Sequence, residues 1–243
     1  LGFGYGIIIL LMALLIKILL FPFTYKSYTS MAKMRVLKPQ IDAINDKFED
    51  QMKRQQETMN LYRKTGVNPL GGCIPMLFQM PILFALFRFF PASIELRQQS
   101  FLWANDLSTY DSILDLGFNI PFYGDHISLF TLLMTATTVL QMKYSTGMSG
   151  SNAQMPQMKY MMYFMPIIFL GVMNNYAAAL SYYYFLANLI TFAQQKIIAS
   201  MTDDALILAK MEDHKLKSPK EKSSFQVRLE KMMKEQQEAK KKK

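Results

Sequence analysis

One charged residue, Lys17, interrupts the apolar run LGFGYGIIILLMALLIKILLFPF that opens the chain. An ammonium held at a helix centre in a bilayer costs about 2.5–3.5 kcal/mol on insertion scales. Its chemistry is to attract an anionic group. Thr24 marks the polar boundary seven residues on, about 10 Å at 1.5 Å per residue, so the side chain could instead snorkel to the surface. Neutral polar side chains occur at similar depth in other apolar stretches. Gln79 lies ten residues past Pro69, and Asn188, Thr191 and Gln195 follow at spacings of 3 and 4, with Gln194 beside them. That spacing places the three on one helix face. Thr137, Thr138 and Gln141 belong to a further stretch. Each residue alone reads as an interhelical hydrogen bond. Together they crowd one half of a small bundle and imply a wet recess open to one side.

Several chemistries lack their usual carriers. No Asp or Glu falls in the apolar stretches, which removes the ordinary proton or sodium relay. The two histidines, His126 and His214, lie outside those stretches, and no HExxH or GxxxxGK[ST] occurs, so neither a zinc site nor an ATP cradle is indicated. No cofactor is expected. Cys73 is the only cysteine; it cannot form an internal disulfide and reads as a small packing residue.

The elements that would position these residues are membrane helices. Hydrophobic residues make up 51% of the 243, yet the net charge is +9, with apolar and charged residues segregated along the chain as in a membrane protein. Five stretches approach the length of a span: Phe3–Phe23, Pro69–Pro91, Ile127–Met142, Tyr160–Met173 and Leu180–Ile198. The expectation is an all-α polytopic membrane protein with helices at about 3–23, 69–91, 127–143, 159–174 and 180–198. Five spans do not divide into two equal inverted repeats, which argues against the common transporter plan.

Basic residues orient the spans. Nine Lys and Arg lie in Thr24–Asn68 and twelve follow Ala199. The 92–126 segment has Arg97 alone, against Glu95, Asp106, Asp111, Asp115 and Asp125. The positive-inside rule therefore puts the first segment and the tail in the cytoplasm and the 92–126 loop outside. The first residues of the chain then face the periplasm and its last face the cytoplasm. Trp103 and Phe101 suit either the membrane interface or ordinary loop packing. With Leu1 in first place and no signal-peptide pattern, the chain reads as a fragment of a longer protein.

In 39–65, Ile41, Ile44 and Phe48 recur at helical spacing, as do Met52, Met59 and Tyr62. Two short helices turning near Glu49–Met52 would pair these stripes, while a single surface helix is the competing reading. Within the basic 200–243 tail, the stretch KLKSPKEKSSFQVRLEKMMKEQQEAKKKK from Lys215 is rich in Lys and poor in aromatics. It reads as disordered or partly helical, attracted to ribosomal RNA or acidic headgroups, or as a topology-setting tail. Lys26, Lys33 and Arg35 could bind acidic lipid.

YKSYTSMAKMRVLKPQI, then VNPLGGCIPMLFQMPILFALF, SIELRQQSFLWANDLS and YYYFLANLITFAQQ resemble the Oxa/Alb/YidC family of membrane protein insertases over essentially all of 2–199. The resemblance implies five helices around a hydrophilic groove open to the cytoplasm and to lipid and closed outside, with a cytoplasmic helical hairpin. It implies that Lys17 stands where the family's groove carries arginine. A compact ammonium there attracts a carboxylate but cannot grip it with a planar fork. By the same resemblance Gln79, Asn188, Thr191 and Gln195 hydrate the groove. Met80 and Pro81, with Phe164, Met165 and Ile168, would form an apolar slide for an entering helix, and Tyr183 and Tyr184 would lie close to its path. The Met-rich MKYMMYFMP suits a surface that accepts many helices or serves as lipid-facing filler.

The function expected is non-enzymatic insertion and folding of nascent membrane proteins in the bacterial inner membrane. The expected partners are nascent chains, the ribosome through the basic tail, a Sec-type translocon and anionic lipids, and not DNA. A small-solute transporter or channel also needs a polar cavity, and predicts solute flux. An intramembrane enzyme needs a nucleophile with a base at depth, and the stretches offer no such pair.

Overall fold

A computed structural model describes residues 3–68, 71–72, 74–149 and 156–216. Nine helices and one β-hairpin are seen among them. The helices are α1 (Phe3–Leu19), α2 (Phe21–Val36), α3 (Lys38–Lys47), α4 (Gln51–Lys64), α5 (Ile74–Ala92), α6 (Leu129–Ser149), α7 (Pro156–Asn174), α8 (Ala178–Ser200) and α9 (Asp204–Leu216). The strands β1 (Leu114–Ile120) and β2 (Gly124–Ile127) pair antiparallel.

The first apolar run is not one straight helix. It breaks at Leu20, and the pair Gly4–Leu19 and Phe21–Val36 is bent by 60°. Pro22 sits in the first turn of α2, where its missing N–H and its ring prevent α1 from continuing. The Leu20 carbonyl is shared between the amides of Phe23 and Thr24, and the Thr24 hydroxyl donates to it as well, at 3.1 Å. The expected span at 3–23 is thereby corrected: the break comes one turn after Lys17 and turns the chain sideways. This bent pair is together long and apolar enough to cross a membrane, but among the described residues no single helix is. Leu77–Ala92 and Phe164–Asn174 are shorter apolar helices. Threonines and amides dilute the apolar windows of α6 and α8. The exterior is nonetheless greasy, with large apolar side chains exposed on α1 (Ile7, Leu11, Leu15, Ile18), α5 (Leu77, Phe84, Phe89) and α7 (Phe164, Ile167, Val172). A belt of this extent is foreign to a solvated monomer.

Two cores hold the chain together. At the β-hairpin end, Ile9 and Ala13 of α1, Phe90 of α5, Phe130 and Met134 of α6, and Ala178–Tyr183 of α8 are buried with Leu96, Phe101 and Leu107 of the intervening segment. Gly6 lies directly against the Phe101 ring, which a Cβ would strike. At the other end, Tyr28, Met31 and Met34 of α2 pack with Ile41 of α3, Tyr62 of α4, Ile198 of α8, and Ile207 and Met211 of α9. Here α3 and α4 pack on one another. Asp50 caps α4, its Oδ1 accepting from the Met52 amide at 3.0 Å.

Three further stretches take shape in the structure. The 92–126 segment, expected as a loop, carries β1 and reaches β2, whose tight turn rests on α7, with the Phe122 carbonyl 3.0 Å from where a Cβ would stand on Gly171. In the second apolar stretch the described helix is Ile74–Ala92; 71–72 form a 3-10 turn, and 69–70 and Cys73 lie outside the described residues. The start of the tail forms α9, packed on α2 and tied by an Arg35–Asp204 ion pair at 2.6 Å. The Lys-rich 217–243 lies outside the described residues.

Candidate functional site

A recess of about 440 Å³ opens between α1, α2, α5, α6 and α8. Lys17 borders it from the last turn of α1, with Leu20 and Phe23 beside the break. Thr24, Ser27, Tyr28 and Met31 line it along α2. Gln79 and Met80 enter from α5, Gln141 and Ser145 from α6, and Tyr184, Asn188, Thr191 and Gln195 from α8. The five residues singled out as groove polar groups, from three separate stretches of sequence, thus surround one space.

The 60° break explains the arrangement. A straight continuation would carry Thr24 and Tyr28 past the bundle, whereas the bent α2 crosses it and packs on α5, α6 and α8. Gln194 donates from Nε2 to the main-chain carbonyl of Lys17 at 3.2 Å. That carbonyl belongs to the last turn of α1, which has no helical partner to accept from. The backbone beneath the ammonium is therefore pinned to α8.

The polar side chains differ in how fully they are engaged. Asn188 donates to Thr138 Oγ1 at 2.8 Å and Thr137 Oγ1 at 3.2 Å, binding α8 to α6. Thr191 returns its hydroxyl proton to the Ala187 carbonyl at 2.7 Å. Gln195 reaches Ser145 Oγ at 3.5 Å through Nε2, while its buried Oε1 has no protein partner. Tyr28 Oη and Gln141 Oε1 are likewise buried without a protein hydrogen-bond partner, and the Gln79 side chain lies beside the hydroxyls of Tyr183 and Tyr184. Buried polar atoms are seldom left unpaired by both protein and water.

A separate polar network joins the start of α6 to the β-hairpin and to the end of α7. Asp111 is 2% exposed and accepts from Trp103 Nε1 at 2.9 Å, Ser128 Oγ at 2.5 Å and the Phe130 amide at 3.0 Å. It thereby supplies an acceptor at the start of α6. Asn174, at the end of α7, accepts from the Ser128 amide and donates to the His126 and Tyr123 carbonyls. His126 stacks on Tyr110 with ring centres 3.8 Å apart. Trp103 packs on Phe130 and Phe101 on Tyr182.

The residues expected to form a slide are not all in one place. Met80 borders the recess and is 39% exposed, and Pro81 is exposed on α5. Phe164, Met165 and Ile168 are exposed on α7 and do not line the recess. Tyr184 lines it. Tyr183 is wholly buried against Phe90 in the first core, one residue round the helix from Tyr184, with its hydroxyl beside the Gln79 side chain. Of MKYMMYFMP, the side chains of 158–163 lie outside the described residues. Among the described residues no cluster of His, Cys, Asp or Glu could hold a metal ion.

Sequence reasoning missed Ser27, Tyr28 and Ser145 as recess residues. Tyr28 stands four residues beyond Thr24 and eleven beyond Lys17, a helical repeat that the proline between them obscures.

Residues 1–205 match the family described as 60Kd inner membrane protein. The chain belongs to that family. It is similar to the membrane protein insertase YidC of Bacteroides fragilis, 52% identical over 244 residues that cover 98% of this chain and 39% of that protein. Its similarity to the membrane protein insertase YidC of Parabacteroides distasonis is 53% over 243 residues, covering 97% and 38%. The corresponding protein of Porphyromonas gingivalis is 43% identical over 244 residues, covering 96% and 39%. The chain thus spans about two fifths of the length of these relatives. As a member of the 60Kd inner membrane protein family it is a membrane protein, and its exposed apolar belt agrees with that placement.

Proposed function

We propose that this chain is the insertase core of its protein: a non-enzymatic device that moves nascent membrane proteins into the bacterial inner membrane. The observation that carries the reading is the convergence of Lys17, Gln79, Asn188, Thr191 and Gln195 on one recess. Five spans, α1 with the start of α2, α5, α6, α7 and α8, cross the bilayer. By the positive-inside rule the α3–α4 hairpin lies in the cytoplasm and the β-hairpin outside. The recess then opens inward and is sealed outward by the network around Asp111.

A nascent segment brings a polar flank that must cross an apolar layer. Water in the recess shortens that distance, and Lys17 attracts acidic groups in the flank while the amides hydrogen-bond to it. The client's apolar helix passes along Met80 and Pro81 on α5 and along Phe164, Met165 and Ile168 on α7 into lipid. Burial of its apolar surface drives the step. The membrane potential, worth about 2.3 kcal/mol per charge per 100 mV, favours export of an acidic flank. No nucleotide or cofactor is required. The hairpin receives clients or partner proteins such as a Sec-type translocon, and the Lys-rich tail holds the ribosome.

Site-specific crosslinking during translation of a small membrane protein tests the reading. A photoreactive residue at Gln79 or Tyr184 is expected to capture the nascent chain, and one at buried Tyr183 is not. Solute flux through reconstituted vesicles without client capture would favour a transporter instead.

A further inference from the structure

The outer end of α5 carries a cation that the insertase reading does not use. Arg88 is the one charged residue in the apolar helix Leu77–Ala92. It lies four residues before the helix end, about 6 Å along the axis. Its side chain is exposed, and among the described residues no ion pair includes it. Beside it a cleft of about 560 Å³ is walled by Leu83, Phe84, Phe87, Phe169 and Tyr176. Phe87 makes edge contacts with Tyr176 at 4.9 Å and Phe169 at 6.2 Å, so a firm aromatic wall faces the opening between α5 and α7. Phe84, one helical turn below Arg88, is 64% exposed.

We propose that this cleft binds a phospholipid of the outer leaflet. The Arg88 guanidinium snorkels to the headgroup and grips the phosphodiester, and an acyl chain lies against Phe84, Phe87 and Phe169. Three features favour lipid as the occupant. The cation is placed on the side where the positive-inside rule disfavours it, and the five acids of 92–126 leave it unpaired among the described residues. A planar guanidinium with free donors matches the oxygens of a phosphate bidentately. The wall below it is wholly apolar or aromatic, as an acyl chain requires. A headgroup of net negative charge is preferred over a zwitterionic one, whose own ammonium competes for the phosphate.

The leaflet assignment and the positive-inside argument rest on the orientation proposed above; the match of the guanidinium and the apolar wall to a lipid does not. Native mass spectrometry of the purified chain in detergent, titrated with phosphatidylglycerol or phosphatidylethanolamine, reads binding without reference to orientation. One tightly retained phosphatidylglycerol is expected, weakened about tenfold in Arg88→Gln, as the loss of a charge-assisted contact implies. Arg88→Lys is expected to recover part of the binding, and Phe87→Ala to weaken both lipids alike. Equal retention of phosphatidylglycerol by Arg88→Gln and the parent chain overturns the proposal. A loss of self-association in Arg88→Gln, with lipid retention unchanged, also overturns it and points to a second copy of the chain. If lipid binding behaves as expected while Gln79 and Tyr184 capture no client, the insertase reading fails and the lipid site stands.

Discussion

Gln194 Nε2 donates to the main-chain carbonyl of Lys17 across the interface between α8 and α1, at 3.2 Å. The bond joins the element that carries the charge to the element that carries most of the amides, at the depth where α1 ends. Gln194→Leu removes it while keeping the side chain's bulk. The expected stability loss is about 1 kcal/mol, the net worth of a single hydrogen bond. Client insertion is expected to fall further than that loss explains, because the lysine is no longer held over the recess. Thermal unfolding in detergent and insertion into vesicles, measured on the same preparation, separate the two effects.

The charge itself has a directional test. Lys17→Arg keeps the attraction for carboxylates and adds donors, and is expected to insert clients with acidic flanks at or above the parent rate. Lys17→Glu is expected to reduce their insertion at least about tenfold, on the scale of a reversed charge pair near a protein surface. Clients with neutral flanks are expected to suffer less. Equal activity of Lys17→Glu and the parent chain on acidic-flanked clients would remove the charge from the mechanism.

Asp111 predicts stability rather than transport. Three donors converge on its buried carboxyl group, from Trp103, Ser128 and Phe130. Asp111→Ala leaves all three without that acceptor and is expected to cost on the order of 3 kcal/mol, since each unpaired buried donor costs about 1–3 kcal/mol where water cannot reach it. The unfolding midpoint reads the loss. Asp111→Asn keeps acceptor capacity and is expected to recover part of it.

The Arg35–Asp204 pair makes the opposite prediction. Its side chains are 34% and 53% exposed, so Asp204→Ala is expected to cost under about 1 kcal/mol. Met211, 3% exposed in the second core, holds α9 on α2. Met211→Asp is expected to release the helix, seen as faster proteolytic cleavage after Ser200, whereas Asp204→Ala leaves cleavage near the parent rate.

Residue type and helical period made the recess legible. Lys17 and Gln79 stand out against apolar neighbours, and Asn188, Thr191 and Gln195 share a face by spacing alone. The bend was not legible, because Pro22 marks a stop without giving its angle, and with the bend went Ser27 and Tyr28. Asp111 was read only as one of five acids. Its partners Trp103 and Phe130 lie eight and nineteen residues away, brought together by a chain reversal that no local pattern announces. The β-hairpin did leave a trace: Leu114, Leu116, Phe118 and Ile120 alternate at the period of a strand, a signal hidden by treating 92–126 as a connector and weighing its charges. Likewise Asp203, whose Oδ1 accepts from the Ala205 amide at 2.9 Å, starts α9 inside a stretch that charge counting read as tail.

A water-filled recess that opens only toward the cytoplasm is the central claim, and the reactivity of a thiol placed within it tests that claim most directly. Thr191→Cys in a Cys73→Ser background is to be treated with a membrane-impermeant maleimide in vesicles of each orientation. The expected result is rapid labelling when the cytoplasmic face is outward and none when the periplasmic face is outward. Labelling from the periplasmic face, or from neither, would contradict the account.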